Sequence, residues 1–323
     1  MVTFSSVRVM KSSGSKWVQP SILIDADHSI AVTEVAMARV VCVHGVGKQQ
    51  LGEQTLLSQW APALHDGLRR AGSAAMITDS DVMMAFYGDL FLPSGQRLAG
   101  DDPHYGWWDV SAGPETDLLL KWWEHAAAEE PQVVSPSAQN LLSGFGPLVQ
   151  SALLALSGSR FFAGLAEKAL IFDLKQVVRY FAEPDVRAAA RDRVRTMVGE
   201  DTRVVVAHSL GSLVAYEALC SMPEHKVTSF VTLGSPLGIP NLIFDRVDPA
   251  PERGVGRWPG KPSSTAWTNV ADARDVVALV KDLRPRFGPD VTCHLVPNGS
   301  HVHDSTHYLT KKETGVAIAA ALE

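Results

Sequence analysis

Ser209 lies in R-V-V-V-A-H-S-L-G-S-L-V-A-Y-E-A-L, Arg203–Leu219. Arg203–Val206 reads as a short buried strand. From Leu210 the apolar residues fall at Leu210, Leu213, Val214 and Leu219, a helical spacing. A strand, a tight turn and a helix with a serine at the apex make the nucleophile-elbow pattern G-x-S-x-G, here with Ala207 in place of the first glycine. Small residues two before and two after the serine let strand and helix pass closely, and alanine is the mildest departure from that need. The turn strains the serine backbone and exposes its hydroxyl above the sheet edge. The helix N-terminus behind it offers N–H groups and partial positive charge to an oxyanion. The flanking strand and helix separate this pattern from a plain junction carrying a surface serine.

A serine hydroxyl needs a base to take its proton, and the base needs a carboxylate to hold its tautomer. On sheets with this elbow the chain order is Ser, then Asp or Glu, then His. The strand Ala266–Val270 is followed by Asp272 and Asp275, and the last strand, Val291–Val296, by a polar loop, Pro297–Thr306, with His301 and His303, then His307. Asp275 is favoured over Asp272 because the loop must reach toward the histidine; the other aspartate reads as a turn or N-cap residue. His303 is the favoured base, at mid-loop. His294, inside the strand, reads as a packed core histidine. His208 adjoins the serine, but the turn points neighbouring side chains apart, so it lines the sheet.

A strand at Arg39–Val43 runs into His44-Gly45-Val46-Gly47. A phosphate loop would need G-x-x-x-x-G-K-[ST], and Gly47-Lys48 is followed by Gln49. The alternative is an H-G-x-G oxyanion loop. There Gly45 and Gly47 let the backbone approach a substrate carbonyl, His44 braces the loop, and the N–H groups of Val46 and Leu210 are the donors.

Five segments together carry a family resemblance: His44–Gln49, Ala207–Gly211, Leu233-Gly234-Ser235-Pro236-Leu237, Trp267–Asn269 through Asp275-Val276-Val277, and His303-Asp304 with Tyr308-Leu309. The chain resembles bacterial α/β-hydrolases of the serine esterase/lipase type, and its elbow and G-S-P strand resemble lipases and the GPI inositol-deacylase-like branch. The resemblance covers residues 39–90 and 200–322. It implies an α/β-hydrolase fold: a mostly parallel sheet, helices on both faces and a helical cap insertion. It also implies a triad of Ser209, Asp275 and His303, hydrolysis of carboxylic esters through an acyl-enzyme, and neither metal nor organic cofactor. In this family the acid precedes a short apolar pair, as in Asp275-Val276-Val277, and the histidine lies a few residues before a tyrosine, as His303 does before Tyr308. Thioester or amide cleavage on the same triad, or a non-catalytic hydrolase-fold protein that binds a ligand, are the alternatives.

The elements that must position these residues alternate along the chain. Residues 1–38 read as an N-terminal extension, with Trp17–Ile24 and Ile30–Val35 as a candidate hairpin, and residues 39–323 as the main domain. Helices are expected at Gln54–Ala71, ended by Gly72, and at Ile171–Phe181, Asp185–Val198, Asp275–Leu283 and Lys312–Leu322; further strands at Asp81–Phe86 and Val227–Leu233. Ser235, in a glycine turn with no helix after it, shapes the site rim, and Gly238–Thr265 reads as a long lid loop. The cap insertion spans about 92–170. It holds Trp107, Trp108, Trp122 and Trp123, and has no charge or histidine from Pro131 to Ser159. Leu141–Leu156 is apolar but broken by Gly144, Gly146 and Pro147, too interrupted to span a membrane. The cap reads either as the lining of an apolar acyl pocket or as helices packed on the core, with peripheral membrane contact a minor third option.

With 323 residues, 46% hydrophobic and 20% charged, the chain can bury a large core. A net charge of -6 gives no cause to expect nucleic acid or an anionic membrane as partner; the expected partner is a small-molecule or lipid-like ester. Arg187, Arg191 and Arg195 share a helical face with Asp185 and Asp192 nearby, which reads as solvated. The cysteines Cys42, Cys220 and Cys293 are odd in number and widely spaced, which fits a reducing compartment, and no apolar leader is evident, so a cytoplasmic location is expected.

Overall fold

Valine-rich strands build the centre of the protein. The structure, a computed structural model, describes residues 38–75, 77–92, 105–137, 144–159 and 167–323, without the side chains of 167–169. The candidate hairpin, and the N-terminal extension apart from Ala38, lie outside the described residues, as do residues 93–104, 138–143 and 160–166 of the cap region.

Six strands, β1 (Val40–Val43), β2 (Val82–Ala85), β3 (Val204–His208), β4 (Ser229–Leu233), β5 (Ala266–Ala271) and β6 (Thr292–Leu295), form one sheet in the order β2-β1-β3-β4-β5-β6. Each pairing is parallel. β1, β3 and β4 are buried along their whole length, which is why they read as apolar runs rather than as alternating patterns. Alternation still assigns the faces. Val41, Val43, Val205, Ala207 and Phe230 join one core, and Val40, Cys42, Val204, Val206, Val231 and Leu233 the other.

The second core is closed by α1 (Glu53–Ala71), through Leu56, Trp60, Leu64 and Leu68, and by the C-terminal residues Ile318 and Ala319. Gly72 ends α1 in the left-handed conformation, its N–H bonding the carbonyls of Leu68 and Arg69. The first core takes in the long β2–β3 connection: α2 (Pro114–Glu129), α3 (Phe145–Ser157), α4 (Glu167–Ala182) and α5 (Pro184–Met197), with α6 (Leu210–Cys220) following β3. Helices therefore cover both faces. The strongly apolar segment becomes α3, which buries Val149, Ala152, Leu153 and Leu156 in the core. No helix among the described residues is long and apolar enough to cross a membrane.

Four expectations are corrected. Asp275–Leu283 is a loop, followed by the short α7 (Arg284–Phe287). The carboxyl of Asp275 accepts the N–H groups of Val277 and Ala278, and the carbonyl of Lys281 accepts from Asn269 Nδ2; these local bonds replace the helical ladder. Arg187 and Arg191 do not form a solvated face. Arg187 pairs with Glu217, whose side chain is fully buried, and Arg191 bridges to Asp248. His294 is only partly buried, because β6 is an edge strand. Ser235 is fully buried behind the elbow rather than at a rim; its hydroxyl bonds that of Ser212 at 2.7 Å.

After β6 the chain forms α8 (Ser305–Leu309), capped by Asp304, and α9 (Lys312–Ala319).

Candidate active site

The C-terminal ends of β1, β3, β4 and β5 meet around Ser209. Ser209 holds φ 54° and ψ −131°, a conformation uncommon outside glycine. It is secured on both sides: its N–H bonds the carbonyl of Leu233 at 2.9 Å, and its carbonyl accepts from the N–H of Ser212 at 2.9 Å and the hydroxyl of Ser212 at 2.6 Å. The need for small neighbours is visible. A Cβ on Gly211 would lie 2.2 Å from the carbonyl oxygen of His44, and one on Gly45 would lie 2.6 Å from Ser209 Cβ. Leu210 opens α6, so its N–H is one of those a helix leaves without an internal acceptor.

The H-G-V-G loop follows β1. The buried ring of His44 bonds the carbonyl of Gly45 through Nδ1 at 2.7 Å and accepts the N–H of Tyr87 on Nε2 at 3.1 Å, while Tyr87 stacks on it and donates its hydroxyl to the His44 carbonyl at 2.6 Å. Burial, with a smaller contribution from Lys48, lowers the His44 pKa to about 4 against the pull of the Gly45 carbonyl. His44 is thus a neutral brace. Gly47 has φ 72°, and its N–H bonds Gln176 Oε1 on α4 at 3.2 Å, with Gln176 Nε2 bonded to Gln49 Oε1 at 2.9 Å. The N–H of Val46 meets no acceptor among the described residues.

Asp275 and His303 are brought together from different loops. His303 Nδ1 and Asp275 Oδ2 are 2.7 Å apart, and the same oxygen accepts the Tyr308 hydroxyl at 2.7 Å. Tyr308 Oη itself accepts the N–H of Asp272 at 2.8 Å, so α8 is tied to the end of β5. Asp275 is fully buried. Burial raises its pKa, but the His303 charge, the His303 and Tyr308 hydrogen bonds and the Ala278 N–H outweigh burial and hold the carboxyl below its ordinary value. An ionised carboxyl at Nδ1 fixes the proton there and leaves Nε2 as the basic nitrogen. Asp272 has another task. It accepts the N–H of Asn298 at 2.6 Å and that of Arg274 at 2.9 Å, joining the β5 turn to the loop that carries His303.

Ser209, Leu210, Val46 and His303 line one cavity of about 270 Å³. Leu118 and Trp122 of α2, Asp173 and Val177 of α4, and Ile239 and Ile243 after β4 complete most of its wall. Within the cap region, α2 lines the cavity through Leu118 and Trp122, whereas α3 packs on the core.

Three contacts have no counterpart in the sequence reading. Gly234 has φ 53°, and a Cβ there would lie 2.7 Å from Asp275 Oδ2 and 3.0 Å from His303 Nδ1. The G-S-P turn marked the position but not this crowding. The ring of His208 lies 4.5 Å from that of His303, and neither His208 nitrogen has a hydrogen-bond partner among the described residues. Burial drives its pKa well below the usual imidazole value, so it packs as a neutral ring. Asp173 had no signal at all. At the cavity mouth, His301, Asp304 and His307 offer ligand atoms within 4.8 Å of one another, a set that could hold a metal ion. Asp304 Oδ1 already accepts the N–H groups of Thr306 and His307 at the start of α8.

Comparison of the chain with protein-family models, with curated proteins and with solved structures found no match.

Proposed function

We propose that this chain has an α/β-hydrolase fold and is a serine hydrolase that cleaves carboxylic esters. The observation that carries the reading is the 2.7 Å Asp275–His303 bond on the cavity that Ser209 also lines. Supporting it are the strained Ser209 backbone and the N–H of Val46, which meets no acceptor among the described residues, beside the N-terminus of α6.

His303 Nε2 takes the Ser209 proton as Oγ bonds to the ester carbonyl carbon. The carbonyl π electrons move to oxygen, and the N–H groups of Val46 and Leu210 receive the negative charge. The intermediate collapses, the carbon–alkoxy bond breaks, and the imidazolium gives its proton to the departing alcohol. Water, deprotonated by the same nitrogen, then releases the acid and restores the serine. Asp275 stays ionised throughout and stabilises the imidazolium, with Tyr308 holding its carboxylate in place. The apolar wall suits an uncharged acyl or alkyl body.

Labelling with a fluorophosphonate probe followed by peptide mapping tests the reading. The label is expected on Ser209 alone; an unlabelled protein, or a label elsewhere, removes the proposed nucleophile. Side-by-side turnover of matched ester, thioester and amide substrates fixes which acyl bond is cut, with the ester expected to be fastest.

A further inference from the structure

Two carboxyls line the cavity and neither has a part in the reaction above: Asp304 caps α8, whereas Asp173 has no such structural task. Asp173 projects from α4 into the wall that Ser209 and His303 share. Its Oδ1 is 3.0 Å from the position a Cβ on Gly47 would take, so it lies against the H-G-V-G loop. It has no hydrogen-bond or ion-pair partner among the described residues. The residue is partly buried, and a carboxyl drawn this far from bulk water is ordinarily paired or hydrated. Among the described side chains, the cations of its own helix are engaged elsewhere, Lys175 with Glu115 and Arg179 with Glu183. The charges that act on it are those of Lys48, on the loop, and His303, across the cavity. Burial outweighs both and raises its pKa to about 7.

Three properties of the wall say what would satisfy this carboxyl. No lysine or arginine lines the cavity, whereas two carboxyls, Asp173 and Asp304, do, so the wall favours a cationic group over an anionic one. The indole of Trp122 lies on the same wall, and aromatic rings attract cations. An ionised Asp173 beside the proposed oxyanion site also opposes the charge that develops there, and a bound cation cancels that opposition.

We propose that Asp173 is a specificity residue that receives a protonated amine on the substrate, so that the preferred esters join an apolar body to an ammonium group. The inference rests on the ester-hydrolase reading for its substrate class, and on the cavity alone for its binding site. The cation forms a charge-assisted hydrogen bond with Asp173 and keeps the acid ionised.

Matched p-nitrophenyl esters of 6-aminohexanoate and heptanoate, assayed near pH 8 where Asp173 is ionised, supply the kinetic test. The wild-type protein is expected to favour the amino ester by about tenfold or more in kcat/KM, and Asp173→Asn to abolish that preference. Asp173→Ser serves as a second uncharged variant. Calorimetric titration with hexylammonium and with hexan-1-ol reads the site without catalysis; only the wild-type protein should prefer the cation. Equal ratios in the wild-type and variant proteins, in both assays, overturn the proposal while leaving ester hydrolysis standing. Loss of the binding preference in the variants, with neither ester cleaved by the wild-type protein, supports the Asp173 site and sinks the ester-hydrolase reading instead.

Discussion

At Asp275 one carboxylate oxygen serves two partners, His303 and Tyr308, each at 2.7 Å. This makes the two variants separable. Asp275→Asn keeps the shape but loses the charge proposed to stabilise the imidazolium and can present the wrong hydrogen-bonding group to Nδ1; kcat should fall by roughly 10,000-fold. Tyr308→Phe removes one of the two bonds and leaves the N–H of Asp272 unmatched. Its cost in stability should be about 1–2 kcal/mol by chemical denaturation, with a smaller loss of rate, about tenfold. If Tyr308→Phe proved as slow as Asp275→Asn, the tyrosine would be more than a support. Ser209→Ala should lower p-nitrophenyl ester kcat by about 1,000-fold or more with the melting temperature nearly unchanged. The elbow backbone that strains this residue is bonded through main-chain atoms, which alanine retains.

At the scale of elements, the site depends on loops that approach more closely than side chains normally allow. Gly234, at the end of β4, lies in the gap through which the acid–histidine pair passes. Gly234→Ala adds a methyl 2.7 Å from Asp275 Oδ2 at a residue with φ 53°, so the pair must separate. Ester turnover is expected to drop by about 100-fold, with far-ultraviolet circular dichroism unchanged, since a misplacement of about an ångström is enough to do this. The clamp between α4 and the H-G-V-G loop is different in kind. There Gln176 bonds the N–H of Gly47 and the side chain of Gln49, so a helix of the β2–β3 connection sets the position of a loop after β1.

Across the whole molecule, burial sets which groups titrate. Asp173 is the unusual case, because its folded pKa, about 7, lies above the ordinary carboxyl value. Between pH 4 and 7 the folded state therefore binds more protons at this residue than the unfolded chain does, so this residue's contribution to stability falls as pH rises. Asparagine does not titrate. Stability of Asp173→Asn relative to wild type should increase from pH 4 to pH 7, reaching about 2 kcal/mol because cavity solvent screens part of the cost. Parallel urea titrations at the two pH values check this; a difference that is constant with pH would mean that the carboxyl titrates normally. His44, by contrast, has its pKa lowered to about 4. It stabilises the fold above its unfolded pKa, near 6.5, and that contribution fades as pH falls through the interval to about 4.

By itself the sequence carried the strands, the elbow and the chain order of Ser209, Asp275 and His303, because each of these is a local signal: an apolar run, a small residue at a fixed offset, a turn after a strand. It also carried the H-G-V-G loop and the end of α1 at Gly72. The sequence favoured Asp275 over Asp272 on reach alone; the tertiary structure shows how they differ, since both are buried after the same strand and meet the same loop, Asp275 at His303 and Asp272 at Asn298. Only the structure turned Asp275–Leu283 from a helical pattern into a loop, where one carboxylate takes the N–H groups a helix would have used. Arg187, His208, Gly234 and Asp173 gained their meaning the same way, from partners or crowding far along the chain. Spacing reports which face of an element a residue occupies; what waits on the other side of that face is set by packing.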